Sequence, residues 1–469
     1  MATGDSRRTK AKRKDKDTAT EKAEDKANDK EQQSRSWSWN LAIFGDSSSA
    51  LVASFLLLLL SIGVALWVDH GTQFTPPDAY SKLGPVPVID PPRIFEIQAD
   101  DPPIVSSEMR DAFEKDGVIA VRGLLSADLS SRLDVASNDL IMEQKAKNEE
   151  KPLTGQKKQT QFFSVKQGAI FRDSPIIDSE TNQPQSVSPF LEVALLSRIP
   201  PFVADLLHLA DGQNETMRML RDIFLAKDEE EYICGWHVDD TGFWPATAEA
   251  PGVNAWIALD DMPTDLGGGF ALAIGSHSAP WREEAYYVTG ATHTFPKEGF
   301  KSAGDMLERR TGNGTCNVKT AAPHLHRRME ETTRIYDVKR GDIIFHTRWL
   351  FHRTVPFERN AVSERQAKSS EELLYRRYSV RYGPGSSEIP RGYGVEPSVL
   401  WDESNGGRTA DEVSHKDGPW YPRVWPSVDL EEVRQLKLLV EEKMPVAERR
   451  LGVRKKEMRP HRKKLARQH

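Results

Sequence analysis

One stretch limits the architecture of this chain more than any other. Residues 47–68, SSSALVASFLLLLLSIGVALWV, run for 22 residues without a charge. At about 1.5 Å of rise per residue, a helix of that length crosses roughly 30 Å of hydrocarbon. A helix on the surface of a globular domain keeps a polar face, and this run has none. Trp37 and Trp39 precede it and Trp67 closes it, as an interfacial aromatic belt would. The run is long and far from the N-terminus, which argues against a cleaved signal peptide. The expectation is one transmembrane signal anchor.

Orientation follows from the flanks. Eleven Lys and Arg precede the run, whereas residues 69–95 hold only Lys82 and Arg93. The positive-inside rule then places the N-terminus in the cytosol and the body in the lumen of the endoplasmic reticulum or Golgi, or outside the cell. Two glycosylation sequons, at Asn214 and Asn313, agree with that type II topology. Residues 1–46 are dense in charge and poor in hydrophobes, so they form a disordered tail. The Pro-rich residues 69–103 read as a stem. Residues 104–400 read as the main domain, and 401–469 as a C-terminal extension whose end carries ten Lys and Arg in residues 449–467.

Two cysteines exclude a disulfide scaffold and a four-Cys zinc site. Cys234 and Cys316 can pair or stay free. A net charge of −6 over 469 residues does not suit a nucleic-acid binder, so no nucleic-acid partner is expected. Helical spacing occupies residues 108–116, 127–147 and 190–209. From about Met217 the pattern turns to short apolar strands, while residues 283–334 read as a polar, irregular insertion. Helices followed by many short strands predict an α+β chain with a β-sandwich or barrel core.

The chemistry concentrates in Gly235-Trp-His237-Val-Asp239. On a strand, i and i+2 point the same way, so His237 and Asp239 project together. One imidazole and one carboxylate make two thirds of a facial triad of the kind that holds non-haem Fe(II). The third ligand has two candidates, His346 and His352, six residues apart. An even spacing leaves both on one face. Downstream, Tyr375-Arg-Arg-Tyr-Ser-Val-Arg-Tyr382 is a strand rich in arginine. A buried guanidinium needs an anion, and it grips carboxylates with two parallel bonds.

At these residues the sequence resembles the phytanoyl-CoA dioxygenase family over about residues 109–382. Asp116-Gly-Val-Ile-Ala-Val-Arg-Gly-Leu-Leu125 is similar to its opening strand, and Trp236-His-Val-Asp239 to its metal motif. Ala255-Trp-Ile-Ala-Leu-Asp-Asp-Met262, Gly267-Gly-Gly269 and Gly275-Ser-His277 resemble its core. Gly341-Asp342 with His352-Arg-Thr354 resembles its distal element.

The resemblance implies a double-stranded β-helix (jelly-roll or cupin-like) with flanking helices, here preceded by the transmembrane helix. It implies Fe(II) on His237, Asp239 and His352, with 2-oxoglutarate as co-substrate and O2 as oxidant. Thr354 and Arg376 or Arg377 are expected to bind the co-substrate carboxylate; an insertion at residues 358–372 separates the distal His from that strand, and Arg376 is favoured. His277 reads as structural. Arg353 stands where the family has Gly, which would crowd the site. An acid at position 239 favours hydroxylation over halogenation. The substrate is a small molecule, a lipid or a protein side chain. The final residues, Ala-Arg-Gln-His, are not the peroxisomal Ser-Lys-Leu, which turns the expectation away from acyl-CoA chemistry. The alternatives are an inactive, membrane-tethered binding protein on the same fold, or a glycosyltransferase using Asp260-Asp261.

Overall fold

The computed structural model describes residues 85–150, 188–209, 215–227, 235–239, 244, 246, 250–278, 318–321, 323–368, 373–388, 408–412 and 421–435. The apolar run at 47–68, both sequon asparagines, Cys234 and Cys316 lie outside these residues. Among the described residues, no helix is long and apolar enough to cross a membrane.

The frame is a seven-stranded sheet facing a three-stranded one. The strands are β1 (Ile94–Glu96), β2 (Val118–Arg122), β3 (Met217–Lys227), β4 (Val253–Ala258), β5 (Phe270–Ala273), β6 (Thr333–Ile335), β7 (Ile343–Thr347), β8 (His352–Thr354), β9 (Tyr375–Pro384) and β10 (Arg423–Trp425). The large sheet runs β1-β2-β7-β4-β9-β3-β10 and the small one β6-β5-β8. Pairing is antiparallel except between β1 and β2. The arrangement is consistent with a double-stranded β-helix, and flanking helices make the fold α+β. The large sheet takes β1 from the segment expected as stem and β10 from the expected extension.

Strand alternation decides what each face does. On β4, Val253, Ala255 and Ile257 pack into the cluster shared with the helices, while Trp256 and Ala258 face the small sheet. Ile343 and Phe345 on β7 and Tyr378, Val380 and Tyr382 on β9 follow the first pattern. Ile344 and Tyr375 follow the second. His346, Arg377, Ser379 and Arg381 therefore share the interior face.

The helices cover the outer face for local reasons. Helix α1 (Ser107–Asp116) starts on Ser106, whose hydroxyl accepts from Met109 N at 3.2 Å, and ends on Gly117 in the left-handed region at φ 77. It buries Met109 and Phe113. Helix α2 (Ala127–Glu150) buries Leu129, Leu133 and Ile141 at helical spacing. Helix α3 (Ile199–Leu206) is apolar almost all round and sits in the same core.

Helices also form within both stretches expected as insertions, the first of which was expected to be irregular. Helix α4 (Pro323–Glu331) lies in the polar insertion; only Leu325 and Met329, one turn apart, carry its apolar signal. Helix α5 (Arg359–Lys368) fills the insertion between β8 and β9.

Candidate metal centre

His237 pairs with His352 of β8 through two backbone bonds, His237 N to His352 O at 3.0 Å and His352 N to His237 O at 2.9 Å. Residues paired in this way project to the same side, so the imidazoles meet, with ring centroids 4.4 Å apart. Asp239, two residues on, joins them. One ligand atom from each of His237, Asp239 and His352 lies within 4.8 Å of the others; the three are the only such candidate metal cluster among the described residues.

The two imidazoles are prepared as ligands. His237 Nδ1 lies 2.8 Å from Gly235 O, and His352 Nδ1 lies 2.9 Å from Leu350 O. A carbonyl accepts only, so each Nδ1 donates to it, and Nε2 is the nitrogen each ring would offer a metal. Burial, reinforced by His352, pushes the His237 pKa down to about 4. Burial alone would raise the Asp239 carboxyl, but the Arg381 charge and the His352 imidazole outweigh it and hold it well below the usual range. Two imidazoles and one carboxylate form a donor set that fits Fe(II), with three positions of an octahedral metal left over.

His346 is the nearby non-ligand. Its Nδ1 donates to Thr347 O at 2.9 Å, and its Nε2 accepts from Asn254 Nδ2 at 3.0 Å. Both nitrogens are used, and the ring packs 5.0 Å from that of His352.

Beside the triad lies a pocket lined by Lys227, Trp256, Met262, Thr354, Tyr375 and Arg377. Thr354 enters it because it is two residues beyond His352. The Phe270 ring, 5.1 Å from that of His352, stacks on Trp256 at 5.2 Å, and the Arg377 guanidinium lies over both. Trp256 Nε1 and Tyr375 Oη are buried there without a hydrogen-bond partner. Each unmet buried donor costs about 1–3 kcal/mol. Two orphaned donors, a hydroxyl and two cations in one pocket fit a carboxylate, the group by which 2-oxoglutarate would be held.

Strand register reverses the preference for Arg376. It lies on the outer face with Tyr378, where Nε donates to Asp260 Oδ2 at 3.0 Å and Nη2 pairs with Asp134 of α2 at 2.7 Å. Arg377 is the one that points inward. The same bonds dispose of Asp260-Asp261 as a metal-nucleotide motif: Asp260 is occupied by Arg376, and Asp261 accepts from Arg340 N at 2.9 Å.

Arg353 does not crowd the centre. Alternation turns it away from the metal face, over the Trp236 ring and onto Glu330 Oε2 at 3.0 Å. Trp236 Nε1 donates to Glu330 Oε1 at 2.8 Å. A single carboxylate on α4 therefore ties the residue before one metal His to the residue after the other. His277 packs over Gly117, with Nε2 3.0 Å from Glu114 O, in a structural role.

Sequence reasoning missed Lys227 and Glu330, and it gave Tyr375 and Arg381 no role beyond membership of an Arg-rich strand. Lys227 ends an apolar strand with a cation, which is a weak signal. The partner of Arg381, Asp239, lies 142 residues away in the chain.

One protein-family model, described as Phytanoyl-CoA dioxygenase (PhyH), matches residues 113–359. No curated protein sequence matches the chain. Among solved structures, it is similar to the non-heme alpha ketoglutarate dependent carbocyclase SnoK from nogalamycin biosynthesis, at 15% identity over 70% of this chain and 99% of that one, with a TM-score of 0.43. EctD from S. alaskensis shares 16% identity over 71% and 96% of the two chains, with a TM-score of 0.36. HygX from Streptomyces hygroscopicus, solved with nickel and 2-oxoglutarate bound, shares 16% over 61% and 90%, with a TM-score of 0.31. At such scores these likenesses say nothing of this chain's substrate.

Proposed function

The chain belongs to the phytanoyl-CoA dioxygenase family, and from that premise we propose a membrane-anchored Fe(II)/2-oxoglutarate-dependent oxygenase that hydroxylates an organic substrate. The observation that carries the reading is the adjacency of two built sites: three metal-donor side chains, and beside them a pocket with cations and unmet donors.

His237, Asp239 and His352 would hold the metal. Arg377 and Lys227 would neutralise the distant carboxylate of the co-substrate, with Thr354, Tyr375 and Trp256 donating to it. When bound, Fe(II) and 2-oxoglutarate supply the oxidation: the keto acid goes to succinate and CO2, and one oxygen atom of O2 goes to the substrate. The protein's part is to orient. Carbonyls fix the tautomers of both imidazoles, stacked Trp256 and Phe270 wall the centre, and burial limits the access of water.

The anchor is supported by the sequence: the uncharged run, its tryptophans and the charge asymmetry across it. The sequons and that asymmetry support a lumenal or extracellular catalytic domain. The substrate is a small molecule, a lipid or a protein side chain on that side of the membrane.

The test uses the full-length chain in detergent, without oxygen. Fe(II) is added, then 2-oxoglutarate is titrated while the weak visible charge-transfer band of the chelate is followed, with His237→Ala as control. A saturable band lost in the variant is expected. A folded wild-type protein that gives no band and retains no iron would refute the oxygenase reading and favour the inactive binding protein.

A further inference from the structure

The use of Asp239 is divided between its two oxygens. Arg381 directs Nε and Nη2 at Oδ2, at 3.0 and 2.7 Å, and takes that oxygen alone. Oδ1 is turned instead toward His352, 3.7 Å from its Nε2. Both side chains of the pair are nearly sealed from solvent, at 4% and 6% exposure.

Arg381 is itself fixed by register. It sits on the interior face of β9, opposite Asn254 of β4 and Arg221 of β3. Two buried guanidinium groups on directly paired residues repel one another. The Asp239 carboxylate is the anion that makes Arg381 tolerable there.

Resting on the metal-site reading above, we propose that Arg381 is a positioning residue that restricts Asp239 to one-oxygen coordination. The consequence concerns coordination number. A carboxylate with both oxygens free can chelate and occupy two of the six positions of an octahedral metal. With Oδ2 held by Arg381, Asp239 would offer a metal Oδ1 alone, so three protein side chains would leave room for a bidentate co-substrate. The arginine would thus keep the centre open without touching the metal. Its fork is suited to this, because a lysine would supply the charge but not two donors in fixed geometry.

The experiment titrates Co(II) alone into the full-length, metal-free chain, following heat and the visible cobalt bands, for wild type, Arg381→Met and Arg381→Lys. Thermal melts establish that each variant is folded. Arg381→Met is expected to bind Co(II) 10- to 100-fold more weakly, the usual cost of losing a partner behind a metal ligand, with altered cobalt bands. Arg381→Lys should recover part of the affinity but not the wild-type spectrum. A folded Arg381→Met with wild-type affinity and spectrum would overturn the proposal. If that variant does not fold, Arg381→Lys decides, and a wild-type spectrum from it has the same effect. Absence of Co(II) binding by the wild type would sink the metal-site reading and this proposal with it, an outcome separate from equal binding by wild type and variants.

Discussion

Adjacent arginines with opposite orientations give a sharp test of the co-substrate pocket. Arg377 faces the cavity with Lys227, Thr354 and Tyr375. Arg376 faces α2, bound to Asp260 and Asp134. In Arg377→Gln, the co-substrate would lose a charge-assisted pair of bonds, each worth about 1.5–3 kcal/mol. Lys227 remains in the pocket and offsets part of that loss. A net penalty of about 2.7 kcal/mol corresponds to about a 100-fold rise in Kd. In Arg376→Gln, Asp260 loses its cation and Asp134 keeps only Arg340, 3.3 Å away. Breaking a buried pair costs about 3–5 kcal/mol, but these acids are roughly a quarter exposed, so about 2 kcal/mol is expected. The assay is calorimetric titration of 2-oxoglutarate into the Mn(II)-loaded protein, alongside thermal melts. Arg377→Gln should lose affinity with its melting temperature nearly unchanged, and Arg376→Gln should do the reverse, binding within about threefold of wild type. If Arg376→Gln abolishes binding without lowering the melting temperature, the register argument fails.

Gly123 adopts φ +88, and a Cβ there would stand 2.0 Å from the Ile97 carbonyl oxygen. Gly123→Ala should therefore combine left-handed strain with displacement of the β1 edge, about 3 kcal/mol or more, and lower the melting temperature by roughly 6–12 °C; an unchanged melt would contradict this. Burial, and then the charge of His352, pushes His346 down to about 3. Its folded pKa is below its unfolded value of about 6.5, so the unfolded chain takes up the proton first and stability falls as pH drops through 6.5 toward 3. Between pH 6.5 and 5 the metal-free protein should lose about 2 kcal/mol through this residue. Urea titrations of His346→Asn should show a shallower slope across that window, and an identical slope would refute the assignment.

What could be read from the sequence, and what could not, divides along a physical line. Local patterns were sufficient where one residue's direction follows from its neighbours. His237 and Asp239 converge as the i, i+2 spacing predicts, although the segment expected as a strand carries only a single bridge, at His237, among residues 235–239; α1 ends at Gly117 because a left-handed residue stops a helix. Even spacing could not separate His346 from His352, since both face inward. The distinction lies in partners: Asn254 and the Thr347 carbonyl occupy His346, whereas His352 turns Nε2 toward Asp239 in the metal cluster. The choice between Arg376 and Arg377 likewise depends on the register of β9 against β3 and β4. The apolar residues before that strand, Leu373 and Leu374, give no alternation to fix it. The least legible feature was Glu330, an acid in a polar insertion with no motif around it. It matters only because the His237–His352 bridge brings Trp236 and Arg353 together on its carboxylate. Local pattern thus reached His237 and Asp239 and narrowed the third metal-holding residue to two histidines, while the groups that orient them, Arg381 and Glu330, became visible only through contacts between segments distant in the chain.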